Sequence, residues 1–434
     1  MHVAEISAAT SVCGFANDGA EVRVIRSLAE LEPLRESWKA WPGHYFSDID
    51  VQLTVMKSRV EVLCPHVLAV WRNGALDAIL VGRLERKRLR FKVGYFTLFH
   101  PEVRCITFVY DAIRGNASAE NTRLLLDAVT KCLAAGEADV AMFEFVPLGS
   151  DLYRIARKLP PPLTRDSCAS PQKHLVMTVP EDSKEVYNRM SHARRKDLRR
   201  KMKRFEAHPA GEPAIVCYRN PSELDRLMKD AEFIASKTYQ RGLGVGFANS
   251  DQVRTRLELG AQQSLLRGYV LSVGGRPCAF WIGMLCGTTF VGEYTGYAPE
   301  FGEHSPGMFL MMRVIEGFCH HANGDTVQKI DFGLGEAEYK NALCTDSWLE
   351  AVVYMFSPTL KGLALKCMRT LAWIADASIR RVLTSAKTIA RIKKLWRSRI
   401  AQRAAEHSET IRQQYGEHVS ERAPTSNPHT FRIY

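Results

Sequence analysis

Two stretches of this chain hold side chains whose types and spacing suit group transfer. In KIDFGLGEAEYK, Asp331, Tyr339 and Lys340 follow a predicted strand, with Gly333 and Gly335 re-aiming the chain between them. A phenol can protonate a leaving group, and an ammonium can hold a phosphate or a developing oxyanion. In FVGEYTGYAPEFGEHSPGMFLMMRVIEG, a predicted strand carries Glu293, Tyr294 and Tyr297 into a loop that ends at a helix. Ser305 suits the N-cap of that helix and Pro306 its first position, and Gly307, followed by Met308, leaves the backbone open to close approach. Such a helix start, with free N–H groups and a positive dipole end, is a site for a pyrophosphate. A plain strand-end turn and an ordinary capped core helix are the competing readings.

Other patterns carry less. RGLGVG at 241–246 has the form of a phosphate loop, but a helix precedes it where a strand is required, so a loop lining an acceptor pocket is the better reading. The DFG triplet at 331–333 lacks the other kinase signatures. His320 and His321 are adjacent on a helix and face different ways, so no metal site is expected there. The run Arg194–Arg204, RRKDLRRKMKR, sets eight basic side chains against Asp197 alone. It suits either a phosphate clamp or a solvated helix face.

These residues need a scaffold, and the chain is long enough for two or three domains at 434 residues. With 46% hydrophobic and 24% charged residues, it is ordinary globular material, which excludes collagen-like, coiled-coil and wholly disordered chains. No apolar run approaches a spanning helix, and no signal peptide is apparent. Eleven cysteines without a CxxC pair suit buried reduced thiols, and the expected location is the cytoplasm, with possible attachment to the inner membrane face. The net charge of +12 is concentrated: residues 351–405 hold 12 Lys and Arg against Asp376 alone. The body is close to neutral, so nucleic acid is not an expected partner.

Strand and helix signals alternate. Residues 1–20 read as a loose arm, and 21–160 as a first α/β module with a hairpin at Asn73-Gly74. A proline-rich linker follows, and 170–357 read as a second module. Its long basic helix is expected to start near Asp182 or Ser183 and to reach about His208. Residues 358–405 read as a basic helical extension, with 406–434 disordered. Leu365, Met368, Leu371, Ala372, Ala375 and Ile379 fall near helical spacing, which suits either a membrane-surface helix or one packed on the body with a solvated basic face.

Taken in order, SHARRKDLRRKMKRF, EYTGYAPEFGEHSPGMFLMMRVIEG and DFGLGEAEYKNAL resemble the acetyltransferase domain of the CelD/BcsL family, a branch of the GNAT superfamily. The first half resembles it in topology. The resemblance implies two tandem GNAT-like folds, as in FemAB aminoacyltransferases, with mixed central sheets. It also implies acetyl-CoA or another acyl-CoA bound by the second fold, without a metal, its pyrophosphate at Ser305–Met308 and with Tyr294 and Tyr297 beside it. Glu293 becomes the candidate general base and Tyr339 the candidate acid, with Tyr294 and Tyr297 as competitors. Lys340 and Asp331 would position the acceptor or the phosphates. The implied acceptor is a sugar on a nucleotide- or lipid-linked envelope or exopolysaccharide precursor. The alternative is a FemAB-like enzyme that uses aminoacyl-tRNA on a cell-wall precursor.

Overall fold

The structure is a computed structural model and describes residues 15–17, 19–94, 96–238, 241, 246–321, 324–382 and 430–431. Residues 242–245 of the glycine-rich loop, and 383–429 of the basic extension and tail, lie outside the described residues. Two segments of the expected arm and tail are ordered strands. Phe15–Asn17 pairs with Ala20–Ile25, and Thr430–Phe431 pairs with residues 215–216.

The chain forms two compact units, one of residues 1–171 with 349–382, the other of residues 172–348 with 383–434. The tandem reading had placed 349–357 in the second module. Long-range pairing decides otherwise: Glu350–Phe356 runs antiparallel to Val140–Pro147, and the helix Leu360–Val382 buries Leu365 and Ala372 with Phe91, Val140 and Phe356.

In the first unit an antiparallel ladder runs through Ala20–Ile25, Val67–Arg72, Ala75–Arg88 and Glu102–Gly115. Glu102–Gly115 then pairs in parallel with Val140–Pro147 after the crossover helix Ala119–Ala134. Asn73 and Gly74 take φ of 51° and 77°, the two left-handed residues of a type I′ hairpin. Trp38, Phe108 and Phe143 are among the largest buried side chains, and the two phenylalanine rings stack at 4.6 Å.

The terminal helix of this unit is fixed by Asp166, which is buried. It accepts from Arg369 Nε and Nη2 at 2.9 Å each and from the Cys168 N–H at 2.9 Å, while Arg369 covers the Tyr354 ring at 4.3 Å. Removing one partner of a buried pair strands the other. Asp166→Ala is therefore expected to cost about 3–5 kcal/mol, read as a lower midpoint in urea unfolding, and an unchanged midpoint would contradict this docking.

The second unit repeats the plan. Its elements are β1 (Gln172–Thr178), α1 (Ser183–Asn188), α2 (His192–Glu206), β2 (Pro213–Tyr218), α3 (Leu224–Ala235), α4 (Asp251–Gln262), β3 (Leu266–Val273), β4 (Arg276–Cys286), β5 (Thr289–Tyr297), α5 (Pro306–Cys319), β6 (Lys329–Leu334) and α6 (Glu338–Leu343). Strand order is β1-β6-β5-β4-β3-β2, and β5–β6 is the parallel pair. The single long basic helix expected from the sequence is two helices, because the Ser191 side chain accepts from the Arg194 N–H and starts α2 afresh. Leu198, Met202 and Phe205 are buried, and the charges of α2 lie on its other faces.

Candidate active site

The parallel pairing of β5 with β6 lasts three residues, Thr289↔Lys329, Phe290↔Ile330 and Val291↔Asp331. Beyond Val291, among the described residues, β5 is laddered only to β4. There Ile282 faces Tyr294 and Gly283 faces Gly292, so Glu293 has no residue opposite it. This bulge kinks the strand where the two strands part. Gly292 is required at the parting: a Cβ there would come within 2.9 Å of Trp281 Nε1.

Glu293 turns its carboxylate inward, with 3% of the side chain exposed, and Oε2 stands 2.7 Å from Arg256 Nη2. Among the described residues neither carboxylate oxygen receives a directed hydrogen bond, so the pair is held by charge. Burial pushes the Glu293 pKa up, and Arg256 partly restores it. A carboxyl tuned upward is better matched to taking a proton near neutral pH than an exposed glutamate is. Arg256 also donates to Tyr294 Oη, and the Tyr294 ring meets Phe247 edge-on at 5.5 Å. Arg256 lies on α4, 38 residues before Tyr294. Nothing in the local sequence marks it apart from Arg254 of the same helix.

At the far end of β5, Tyr297 covers the start of α5. A Cβ on Gly307 would meet Tyr297 Cδ1 at 3.4 Å. Ser305 precedes α5 as expected but caps it differently. It is left-handed at φ 52°, and its carbonyl rather than its hydroxyl accepts from Met308 and Phe309 N–H at 3.0 and 3.1 Å. Pro306 has no N–H, and no acidic residue lies in the first turn. The corresponding helix of the first unit starts quite differently. Ser118 Oγ accepts from the Asn121 N–H, and Glu120 sits in the first turn. The Ser305 N–H donates to the Gly302 carbonyl at 3.1 Å, so within Ser305–Met308 only the Gly307 N–H lacks an acceptor among the described residues, with no acid beside it, whereas the other start is filled and acidic.

The residues of the second motif are placed differently from those of the first. Asp331 is buried, 2.7 Å from His174 Nε2, and it accepts from the Gly333 N–H at 2.6 Å. His174 in turn stacks on Trp348 at 4.5 Å. Lys340 donates to the Leu334 carbonyl at 2.9 Å, and burial lowers its pKa against the pull of Asp331. Both residues thus brace the turn at the end of β6. Tyr339 is half-buried, edge-on to Phe332 at 6.2 Å. Helix α2 links both regions: Arg194 donates to the Glu338 carbonyl at 3.2 Å, and Phe205 meets Phe309 of α5 at 4.8 Å. His174 and its pairing with Asp331, like Arg256, have no local signature.

Residues 192–341 match the acetyltransferase (GNAT) domain family. The chain carries a GNAT acetyltransferase domain. No curated protein matches the chain. Among solved structures it is similar to FemX, at 10% identity over 82% of this chain and 98% of that one, with a TM-score of 0.48. It is similar also to a tandem GNAT protein from the clavulanic acid biosynthesis pathway, at 11% identity over 78% and 99%, TM-score 0.47. A third is L-PGS from Bacillus licheniformis, at 11% identity over 81% and 98%, TM-score 0.43.

The protein is an acyltransferase, and the matched domain runs from the first residue of α2 to the residue after Lys340. Within the GNAT domain, β5 unites Glu293 and Tyr294 with Tyr297, roughly 13 Å apart along an extended strand. The first pair faces Arg256, and Tyr297 faces Gly307. In the first unit His66, Cys132 and Glu137 have ligand-type atoms within 4.8 Å of one another, but Arg26 holds both Glu137 oxygens, at 2.7 and 3.2 Å.

Proposed function

We propose that the GNAT domain transfers the acyl group of an acyl-CoA thioester to a hydroxyl or amine of a sugar or envelope-glycan precursor. The observation that carries this reading is the start of α5 at Gly307, without an acidic side chain in its first turn and reached by the same strand that holds the buried Glu293 carboxylate. The start of α5 suits the coenzyme diphosphate, with Tyr297 and Gly307 as its walls. The acceptor class follows from the resemblance of the sequence motifs to envelope-polysaccharide acetyltransferases. Supporting results would be saturable acyl-CoA binding, by calorimetry, and acceptor-dependent release of free thiol. Absence of acyl-CoA binding would refute the reading.

In the proposed chemistry Glu293 takes the proton of the acceptor as its oxygen or nitrogen bonds to the acyl carbon. The carbon–sulfur bond breaks, and the departing sulfur takes a proton from Tyr339, with Tyr294 and Tyr297 as the competing donors. Arg256 acts as a positioning residue, keeping Glu293 ionised and the Tyr294 hydroxyl in place. Glu293 works only when deprotonated, so activity falls as pH drops through its raised pKa. Taking away the cation raises that pKa further. Arg256→Met is therefore expected to move the acidic limb of the kcat/KM profile to higher pH, and a limb that stays put would remove Arg256 from this role.

A second donor is favoured by one observation. Lys196, Lys203 and Arg204 are exposed along α2 and have no ion-pair partner among the described residues, a surface that suits a ligand with many phosphates. That arrangement supports aminoacyl-tRNA in a FemAB-like reaction. Binding of tRNA in place of acyl-CoA would select it.

A further inference from the structure

The helix Leu360–Val382 inverts the usual distribution of polarity. Over 23 residues it spans about 34 Å. Its described basic side chains fold back onto the first unit: Lys361 Nζ donates to Asp139 at 2.8 Å, Lys366 to the Pro162 carbonyl, and Arg369 to Asp166. The face turned to solvent reads Leu360, Ala364, Cys367, Leu371 and Ile374, at helical spacing and without a charge. Leu360 is 88% exposed, Leu371 57% and Ile374 50%. A helix packed on a body ordinarily shows water its charges; among the described side chains of this helix Lys361 is exposed, while Lys366 and Arg369 are turned to the body.

A second apolar element lies against the same helix. The hairpin Phe91–Phe99 is tied to it by the Gly94 N–H, which donates to Asp376 Oδ1 at 2.7 Å. Its end presents Phe96 and Leu98, 77% and 52% exposed, and Arg88, Arg90 and Lys92 at its base are exposed too. Clustered exposed apolar side chains on one unit mark an interaction surface. The charge of the following sequence indicates what covers it. From Arg380 to Arg403 there are nine Lys and Arg and no acidic residue, interleaved with Ile389, Ile392, Trp396 and Ile400. A chemically matched occupant offers hydrocarbon beneath a layer of negative charge. No described helix is long and apolar enough to cross a membrane, so the contact lies along a surface.

We infer that the outer face of helix 360–382, together with the 91–99 hairpin, seats the protein on an anionic lipid surface. This rests on the geometry of the first unit and is independent of the reaction proposed for the second. Truncation before residue 358 would strip Leu365 and Ala372 from the core, so the test uses the full chain with substitutions at exposed positions. The probes are phosphatidylglycerol-containing and pure phosphatidylcholine vesicles, read by flotation. Binding is expected to the first and not the second, weakened about tenfold or more by Leu371→Glu with Ile374→Glu, and separately by Phe96→Ser with Leu98→Ser. Unfolding midpoints should match the parent chain, since these side chains are exposed. Absence of binding to anionic vesicles, or binding untouched by both double variants, overturns the inference. So does a concentration-dependent dimer, seen by light scattering, that the same variants abolish, because a second copy would then cover the face.

Discussion

Glu293→Gln is expected to lower turnover by about 10²–10⁴-fold while acyl-CoA affinity stays at its parent value. The substitution keeps the volume of the side chain and removes its capacity to take a proton. The pH profile separates this from a structural effect. Burial raises the Glu293 pKa, so in the parent enzyme the acidic limb should lie above that of an ordinary glutamate and reflect loss of the base form as pH falls. In the glutamine variant that limb should disappear from the residual rate. Steady-state kinetics across pH, with calorimetric titration of the donor, reads both quantities, and undiminished turnover would take Glu293 out of the reaction.

The second large effect is expected at the start of α5. Alanine at position 307 would meet the Tyr297 ring at ordinary van der Waals distance and should be tolerated. Leucine would project over the first turn, where the diphosphate is placed, and should weaken acyl-CoA binding about 10–100-fold, or about 1.4–2.8 kcal/mol. The helix gains a better helix former by this change, so its stability should hold. Loss of donor affinity with an unchanged thermal midpoint is the expected pair of results. Unaltered affinity in Gly307→Leu would move the donor elsewhere.

Local signals in the sequence were reliable where structure is settled locally. Asn73-Gly74 forms the expected turn, both residues at positive φ, and Pro306 begins α5. The alternation of strands and helices reproduces the mixed sheet of each unit. Three kinds of feature stayed out of sight. The Ser191 cap divides a basic run that reads as continuous, because one side-chain hydrogen bond outweighs the helix propensity around it. Arg256 and His174 reach their partners across 37 and 157 residues, and such encounters depend on tertiary packing alone. The bulge that turns Glu293 inward arises from a register shift between β4 and β5, which an alternating pattern does not encode.

The return of the chain to its first unit bears on how the protein is made. Residues 172–348 are an insertion, and the last strand and helix that complete the first unit emerge from the ribosome only after them. At ~5–20 residues per second, translating that insertion takes on the order of 10–35 s. Throughout this interval Val140, Phe91 and Leu89 lack the Phe356, Leu365 and Ala372 that later cover them. The nascent amino-terminal half therefore waits with a hydrophobic seam unsealed until residues 349–382 follow.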